Sequence, residues 1–262
     1  WSAAVSAPAT QKSIVVLLKG EESNSAALVV FRTLLPAAYF ANRRVGNTTW
    51  PGCYTGAMAE ETQNTVRAGP AGWSYDDWKG IVYPERMPRS LHPLELLSEW
   101  FDAIEVNATF YRPANPRWCE SWMKKVAKNP QFRFSAKLQQ EFTHERQQWP
   151  DDATVARFCD GLRPLKDAGM LGALLAQFPW SFKRTVDNRK WLARLVEAFA
   201  GWPLVFELRH MSWECPEFFE ELSQRNLAFC NIDQPLFDGS IAPTAYVTAP
   251  PGYVRFHGRN YE

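Results

Sequence analysis

Strand-length apolar runs recur along this chain with helical patterns between them, and that alternation limits the fold more than any other feature. The runs are Val66–Gly72, Ala103–Tyr111, Phe132–Lys137, Ala173–Phe178, Leu204–Arg209, Leu227–Asp233 and Tyr253–His257. Between them, apolar residues return every three or four positions. Leu94, Leu97 and Phe101 do so behind Pro93, as do Trp118, Trp122 and Val126; Val155, Phe158, Leu162 and Leu165; Trp191, Leu195 and Phe199; and Phe218 and Leu222. That spacing places each set on one helix face, and Pro93 suits a first helical turn. Strands that alternate with helices run parallel, because each crossover returns the chain to the same end of the sheet. Seven such strands, with no GxGxxG after the first, favour a closed barrel over an open dinucleotide-binding sheet. The sequence therefore predicts an α/β fold, a parallel β/α barrel of the triosephosphate-isomerase (TIM) type. About seven of eight strands are expected, behind an irregular N-terminal extension.

Within the runs, side chains alternate faces. One face reads Ile104 and Val106; Phe132, Phe134 and Ala136; Leu174, Ala176 and Phe178; Phe206 and Leu208; Ala228, Cys230 and Ile232; Val254 and Phe256. It is apolar and is expected to pack on the helices. The other face reads Glu105, Asn107 and Thr109; Arg133, Ser135 and Lys137; Gln177; Glu207 and Arg209; Asn231 and Asp233; Arg255 and His257. It is expected to point inward, its polar members gathered toward the strand C-terminal ends, where barrels of this type hold their sites.

Residues 1–57 break the rhythm. They hold one β-like run, Ser13–Leu18, and one mixed run, Ala26–Leu35, and the first methionine of the chain is Met58. They are read as an extension of doubtful origin, poorly ordered, ahead of an incomplete barrel domain over residues 58–262. The nearest approach to a membrane span, Ala26–Phe40, is interrupted by Arg32 and Pro36 and falls short of the ~20 apolar residues that cross a bilayer. A net charge of +1 argues against nucleic acid or a membrane surface as partner. The five cysteines, Cys53, Cys119, Cys159, Cys215 and Cys230, form no CxxC pair. They point to reduced thiols in the cytoplasm rather than to a zinc site or a disulfide framework.

Six motifs occur in order. They are Gly72-Trp73-Ser74-Tyr75 followed by Trp78, Gly80 and Tyr83-Pro84; Ile104-Glu105-Val106-Asn107 with Thr109-Phe110-Tyr111; Phe132-Arg133-Phe134-Ser135 with Lys137; Gln177-Phe178-Pro179; Glu207-Leu208-Arg209-His210 with Trp213; and Arg255-Phe256-His257-Gly258-Arg259. From about Val66 to Glu262 the chain resembles the YecE-like family, domain of unknown function 72. The resemblance implies a TIM-type barrel and implies no reaction. It also implies a further helix and strand after Glu262, so the chain reads as truncated at its C-terminus, and residues 1–57 have no counterpart in the family. Ser13–Leu18 is one candidate for the vacant eighth-strand slot.

The inward face supplies the candidate site. Glu105, Lys137, Glu207, Asp233 and His257 have the residue types for acid, base or nucleophilic work. Asn107, Thr109, Tyr111, Gln177, Arg209, Arg255, Trp73 and Tyr75 are candidates for holding a ligand. Arg133, Lys137, Arg209 and Arg255 face Glu105, Glu207 and Asp233. The cationic surplus suits phosphate or carboxylate, since guanidinium binds either in a bidentate way. His257 is the natural proton shuttle. Lys137 is expected to pair with Glu105 or Glu207, with a Schiff base as the alternative if it is desolvated. Buried charges need partners, so a salt-bridged interior with no ligand role also fits.

The expected function is an enzyme-like barrel binding a polar, anionic small molecule at the strand C-terminal ends. One alternative is a metal-dependent hydrolase or isomerase built on Glu105, Glu207, Asp233 and His257. Another is a non-catalytic nucleotide or nucleic-acid binder using an aromatic rim of Trp73, Tyr75, Trp78, Phe110, Tyr111, Trp180 and Trp213. The pattern assigns no cofactor and no resident metal, and it leaves the oligomeric state open. His144, in the polar stretch Gln140–Asp151, is expected on a mobile lid.

Overall fold

Proline or a short capping side chain opens most of the helices. The computed structural model describes the strand Ser13–Leu18 and residues 65–258. Among these residues lie the helices α1 (Pro93–Trp100), α2 (Pro116–Lys125), α3 (Gln140–Thr143), α4 (Asp152–Asp167), α5 (Val186–Ala198) and α6 (Pro216–Gln224). Proline stands at the start of α1, α2 and α6, where its missing N–H costs no helical bond. Asn115, Asp151 and Thr185 accept a backbone N–H in the first turns of α2, α4 and α5, satisfying donors that have no partner inside the helix.

The strands are β1 (Ser13–Leu18), β2 (Thr65–Pro70), β3 (Ala103–Val106), β4 (Arg133–Lys137), β5 (Leu171–Gln177), β6 (Leu204–Glu207), β7 (Ala228–Asp233) and β8 (Gly252–Phe256). All pair in parallel, in the order β2-β1-β8-β7-β6-β5-β4-β3. From β3 to β8 the sheet follows the chain and curls. The two outermost strands of that order are brought side by side. The Asp102 N–H donates to Ala68 O at 3.2 Å, and a Cβ on Gly69 would lie 1.7 Å from Ala103 O, so only glycine permits that approach.

The expected count of seven strands is corrected, and the candidate for the vacant eighth-strand slot is the one that fills it. Ser13–Leu18 is an eighth, placed between β2 and β8, with Ile14 opposite both Val66 and Gly252. Ala26–Leu35, Cys53, Met58 and the C-terminal Arg259–Glu262 lie outside the described residues. Among the described residues, no helix is long and apolar enough to cross a membrane.

The core lies between the outer sheet face and the helices. Ile104, Val106, Phe134, Leu174, Ala176 and Phe206 are buried there with Leu94, Leu97, Phe158, Leu162 and Leu195. β7 overturns the expected parity. Residues in register on parallel neighbours share a face, and Cys230 and Ile232 stand opposite Tyr253 and Arg255, which point inward. Ala228, Cys230 and Ile232 therefore face inward, while Phe229 packs outward on Phe219. The polar side chains go the other way because of what covers them. The connection from β7 to β8 holds no helix, and Asn231 pins it down. Its amide accepts from the Tyr246 N–H at 2.8 Å and from Thr244 Oγ1 at 2.7 Å, and donates to Tyr246 O at 2.8 Å. A layer of bare backbone demands a hydrogen-bonding partner where a helix would present apolar side chains.

Candidate functional site

Three strands deliver a buried charge cluster. Glu105 from β3 and Glu207 from β6 are wholly out of water, and Arg255 from β8 is 3% exposed. The Arg255 guanidinium spans the two carboxylates, with Nη2 donating to Glu105 Oε1 at 2.9 Å and Nη1 to Glu207 Oε2 at 2.5 Å. Buried ions survive only when paired and hydrogen-bonded, and the remaining oxygens are served too. Tyr253 OH donates to Glu105 Oε2 at 3.3 Å and lies 2.9 Å from Ser135 Oγ. Gln177 Nε2 and Arg209 Nε donate to Glu207 Oε1 at 2.9 and 2.8 Å. Burial pushes the Glu207 pKa up, but the Arg255 and Arg209 cations outweigh it and hold it well below the usual carboxylate value. Burial likewise opposes the charge on Arg255, and Glu105 and Glu207 restore it.

His257 is buried beside this cluster. Its Nε2 is 3.0 Å from Arg255 Nη1 and 3.3 Å from Arg209 Nη2. Guanidinium nitrogens only donate, so these two shorter contacts call for Nε2 as acceptor and the ring proton on Nδ1, while Glu207 Oε1 lies farther off, 3.5 Å from the same nitrogen. Burial, against the pull of Glu207, lowers the pKa below its ordinary value of 6.5. The expected proton shuttle is thus a neutral acceptor held between two arginines.

Lys137 ends β4 on the same side. The expected ion pair with Glu105 or Glu207 does not form: neither carboxylate lies within 4.0 Å of Nζ. Instead, Nζ sits 4.5 Å from the centre of the Phe110 ring. Burial is the largest influence on Lys137 and lowers its pKa from 10.5 to about 8, with Glu105 pulling the other way. Thr109 Oγ1 donates to Lys137 O at 2.8 Å and lies 2.9 Å from Val106 O, tying the ends of β3 and β4 together.

Other expected residues serve the frame. Asn107 Nδ2 donates to Ala71 O at 2.6 Å, and Tyr75 OH donates to the same carbonyl. Burial and then Glu105 raise the Tyr75 pKa to about 12, so its hydroxyl stays protonated. Trp73 packs edge-on against Trp122, and Trp213 is fully buried with Nε1 donating to Phe182 O; both belong to packing rather than to a rim. Tyr111 and Trp180 are exposed. Of the expected lid Gln140–Asp151, the first turn is fixed to the body: Phe142 and Thr143 are fully buried, and Trp191 Nε1 donates to Phe142 O at 2.8 Å, while His144 beyond it is exposed.

Two expected members stand elsewhere. Arg133 begins β4, at the opposite end of the strand from Lys137, and donates to Pro130 O and Phe132 O. Asp233 shares the outward parity of Asn231, in register with Phe256. Among the described residues, no three His, Cys, Asp or Glu side chains form a group able to hold a metal ion. The Arg255 guanidinium stands between Glu105 and Glu207 and pairs with both. Tyr253 and Cys230, absent from the expected site, line it. The period-two spacing of 253, 255 and 257 carries the signal for Tyr253.

Comparison with known proteins agrees with this architecture. The family described as "Protein of unknown function DUF72" matches residues 67–262. The UPF0759 protein YunF of Bacillus subtilis (strain 168) is 28% identical over 205 residues, covering 74% of this chain and 71% of its own. A crystal structure of a DUF72 family protein from Thermotoga maritima MSB8 is 32% identical with a TM-score of 0.61, over 74% of each chain. A second, from Enterococcus faecalis V583, is 25% identical with a TM-score of 0.58, over 64% of this chain and 70% of that one. With its motifs, its curled parallel sheet and these relatives in agreement, the chain belongs to the DUF72 family.

Proposed function

We propose that the protein is an enzyme that binds a small anion, a phosphate or carboxylate compound, at the C-terminal ends of the strands. The reading takes the curled sheet as a TIM-type barrel, supported by the Asp102–Ala68 bond that joins β3 to β2. The observation that carries it is the satisfaction of Glu105 and Glu207 by buried Arg255. Arg209, paired with Glu207 but with a side chain 27% exposed, and Lys137, which makes no ion pair among the described residues, are then the cations at the strand C-terminal ends. A partly exposed guanidinium and an ammonium within its electrostatic reach suit an anion of this class. The four described cysteines, Cys119, Cys159, Cys215 and Cys230, are free thiols, which fits the proposed cytoplasmic setting. The metal-dependent reading is disfavoured by the guanidinium between the two glutamates.

The test is thermal unfolding with inorganic phosphate against chloride at equal ionic strength. Phosphate is expected to raise Tm, and Arg209→Ala to remove most of that rise. An unchanged Tm in phosphate, or an undiminished response in the variant, refutes the assignment.

A further inference from the structure

We propose that Lys137 is an imine-forming amine and that the anion bound at the strand ends carries a ketone or aldehyde carbon, as keto acids and keto-sugar phosphates do. The proposal rests on the anion-binding reading above and names its substrate class. Lys137 is placed where a nucleophile is useful, at the C-terminal end of β4 and over the Phe110 ring. Its position is fixed from below, because Thr109 bonds its carbonyl. Both carboxylates that would hold it as a bound ammonium are already engaged: Glu105 by Arg255 and Tyr253, and Glu207 by Arg255, Arg209 and Gln177. Among the described residues, Lys137 makes no ion pair.

The charged groups acting on it are Glu105 from β3, Glu207 and Arg209 from β6 and its following loop, and Arg255 from β8. Lys137 in turn acts on His144, whose ring is kept neutral by partial burial and by Lys137, Arg146 and Arg209. With a pKa of about 8, about one lysine in ten is the free amine at pH 7, as a desolvated nucleophilic lysine requires. The competing nucleophile is silent, because burial pushes the Cys230 thiol well above its usual value.

In the proposed step, the Nζ lone pair attacks the carbonyl carbon. The C=O π electrons move to oxygen, a proton passes from the nitrogen to that oxygen, and the neutral carbinolamine so formed has its nitrogen lone pair back. A second proton lets that oxygen leave as water while the nitrogen lone pair closes the C=N bond. Overall, an ammonium and a carbonyl give an iminium and one water.

The full chain is incubated with sodium cyanoborohydride and either pyruvate or dihydroxyacetone phosphate, then mapped by peptide mass spectrometry. The expected result is a reduced adduct on Lys137 in about tenfold excess over exposed lysines such as Lys79, as befits a desolvated amine, and competed by phosphate. Pyruvate labelling alone assigns a carboxylate substrate, and labelling by the other probe alone assigns a phosphate. Lys137→Met is expected to fold, to lose the selective adduct and to keep part of the phosphate-induced rise in Tm. Phosphate stabilisation without selective labelling of Lys137 overturns the imine and leaves the anion site standing. Absence of both overturns both.

Discussion

Lys137 stands among carboxylates that an arginine has already taken. The alternating pattern places it on the same face as Glu105, Glu207 and Arg255, and the structure agrees. What the pattern does not encode is which charges pair. Arg255 offers two donors in a rigid fork and spans both glutamates, whereas an ammonium is a single point charge. Lys137 is therefore displaced from the partners expected of it. Its folded pKa, about 8, lies below the ordinary 10.5, so between those values the unfolded chain binds more protons than the native one. Stability contributed by this site accordingly rises with pH across that window and is weakest below it. Lys137→Met is predicted to stabilise the protein by about 1–3 kcal/mol at pH 7, a gain that fades as pH approaches 10.5. Urea denaturation at pH 7 and pH 10 checks this; equal or negative differences at both would contradict it.

At the level of elements, helix starts were legible because their signals are local. Pro93 and the three- and four-residue spacing behind it mark α1 without reference to anything distant. β7 was misread because its parity depends on what lies over it. Phe229, Asn231 and Asp233 face outward, and the covering layer at Asn231 is the chain between Thr244 and Tyr246. A polarity rule assumes apolar helices outside every strand, and that assumption fails where a connection carries none. Asn231→Ala would take this partner from the part-buried Tyr246 N–H and carbonyl. A loss of roughly 1–3 kcal/mol is predicted, the usual cost of unpaired buried polar groups. Hydrogen exchange should quicken at the Tyr246 amide while the β4–β5 ladder stays protected. Unchanged protection at Tyr246 would show that the amide is held by something else.

Taken whole, the run from β3 to β8 follows the order of the chain, which is why the alternation exposed it. The slot of β1 was not legible in the same way. Ser13–Leu18 is separated from β2 by a long stretch without rhythm, and a strand's place is set by register with distant partners, here β2 and β8. The interior adds a connection that no ladder provides. Arg255 joins β8 to β3 and β6, which are not neighbours of each other in the sheet. The walls formed by β3 and by β6 thereby share one cation, and damage to either wall is felt by the other. Glu105→Gln and Glu207→Gln should be strongly non-additive, with a coupling of about 0.5–3 kcal/mol in a double-mutant cycle, against near-additivity for independent sites. Mutational tolerance on one wall would then depend on the state of the other, so substitutions at positions 105, 207 and 255 are expected to succeed as sets and fail singly.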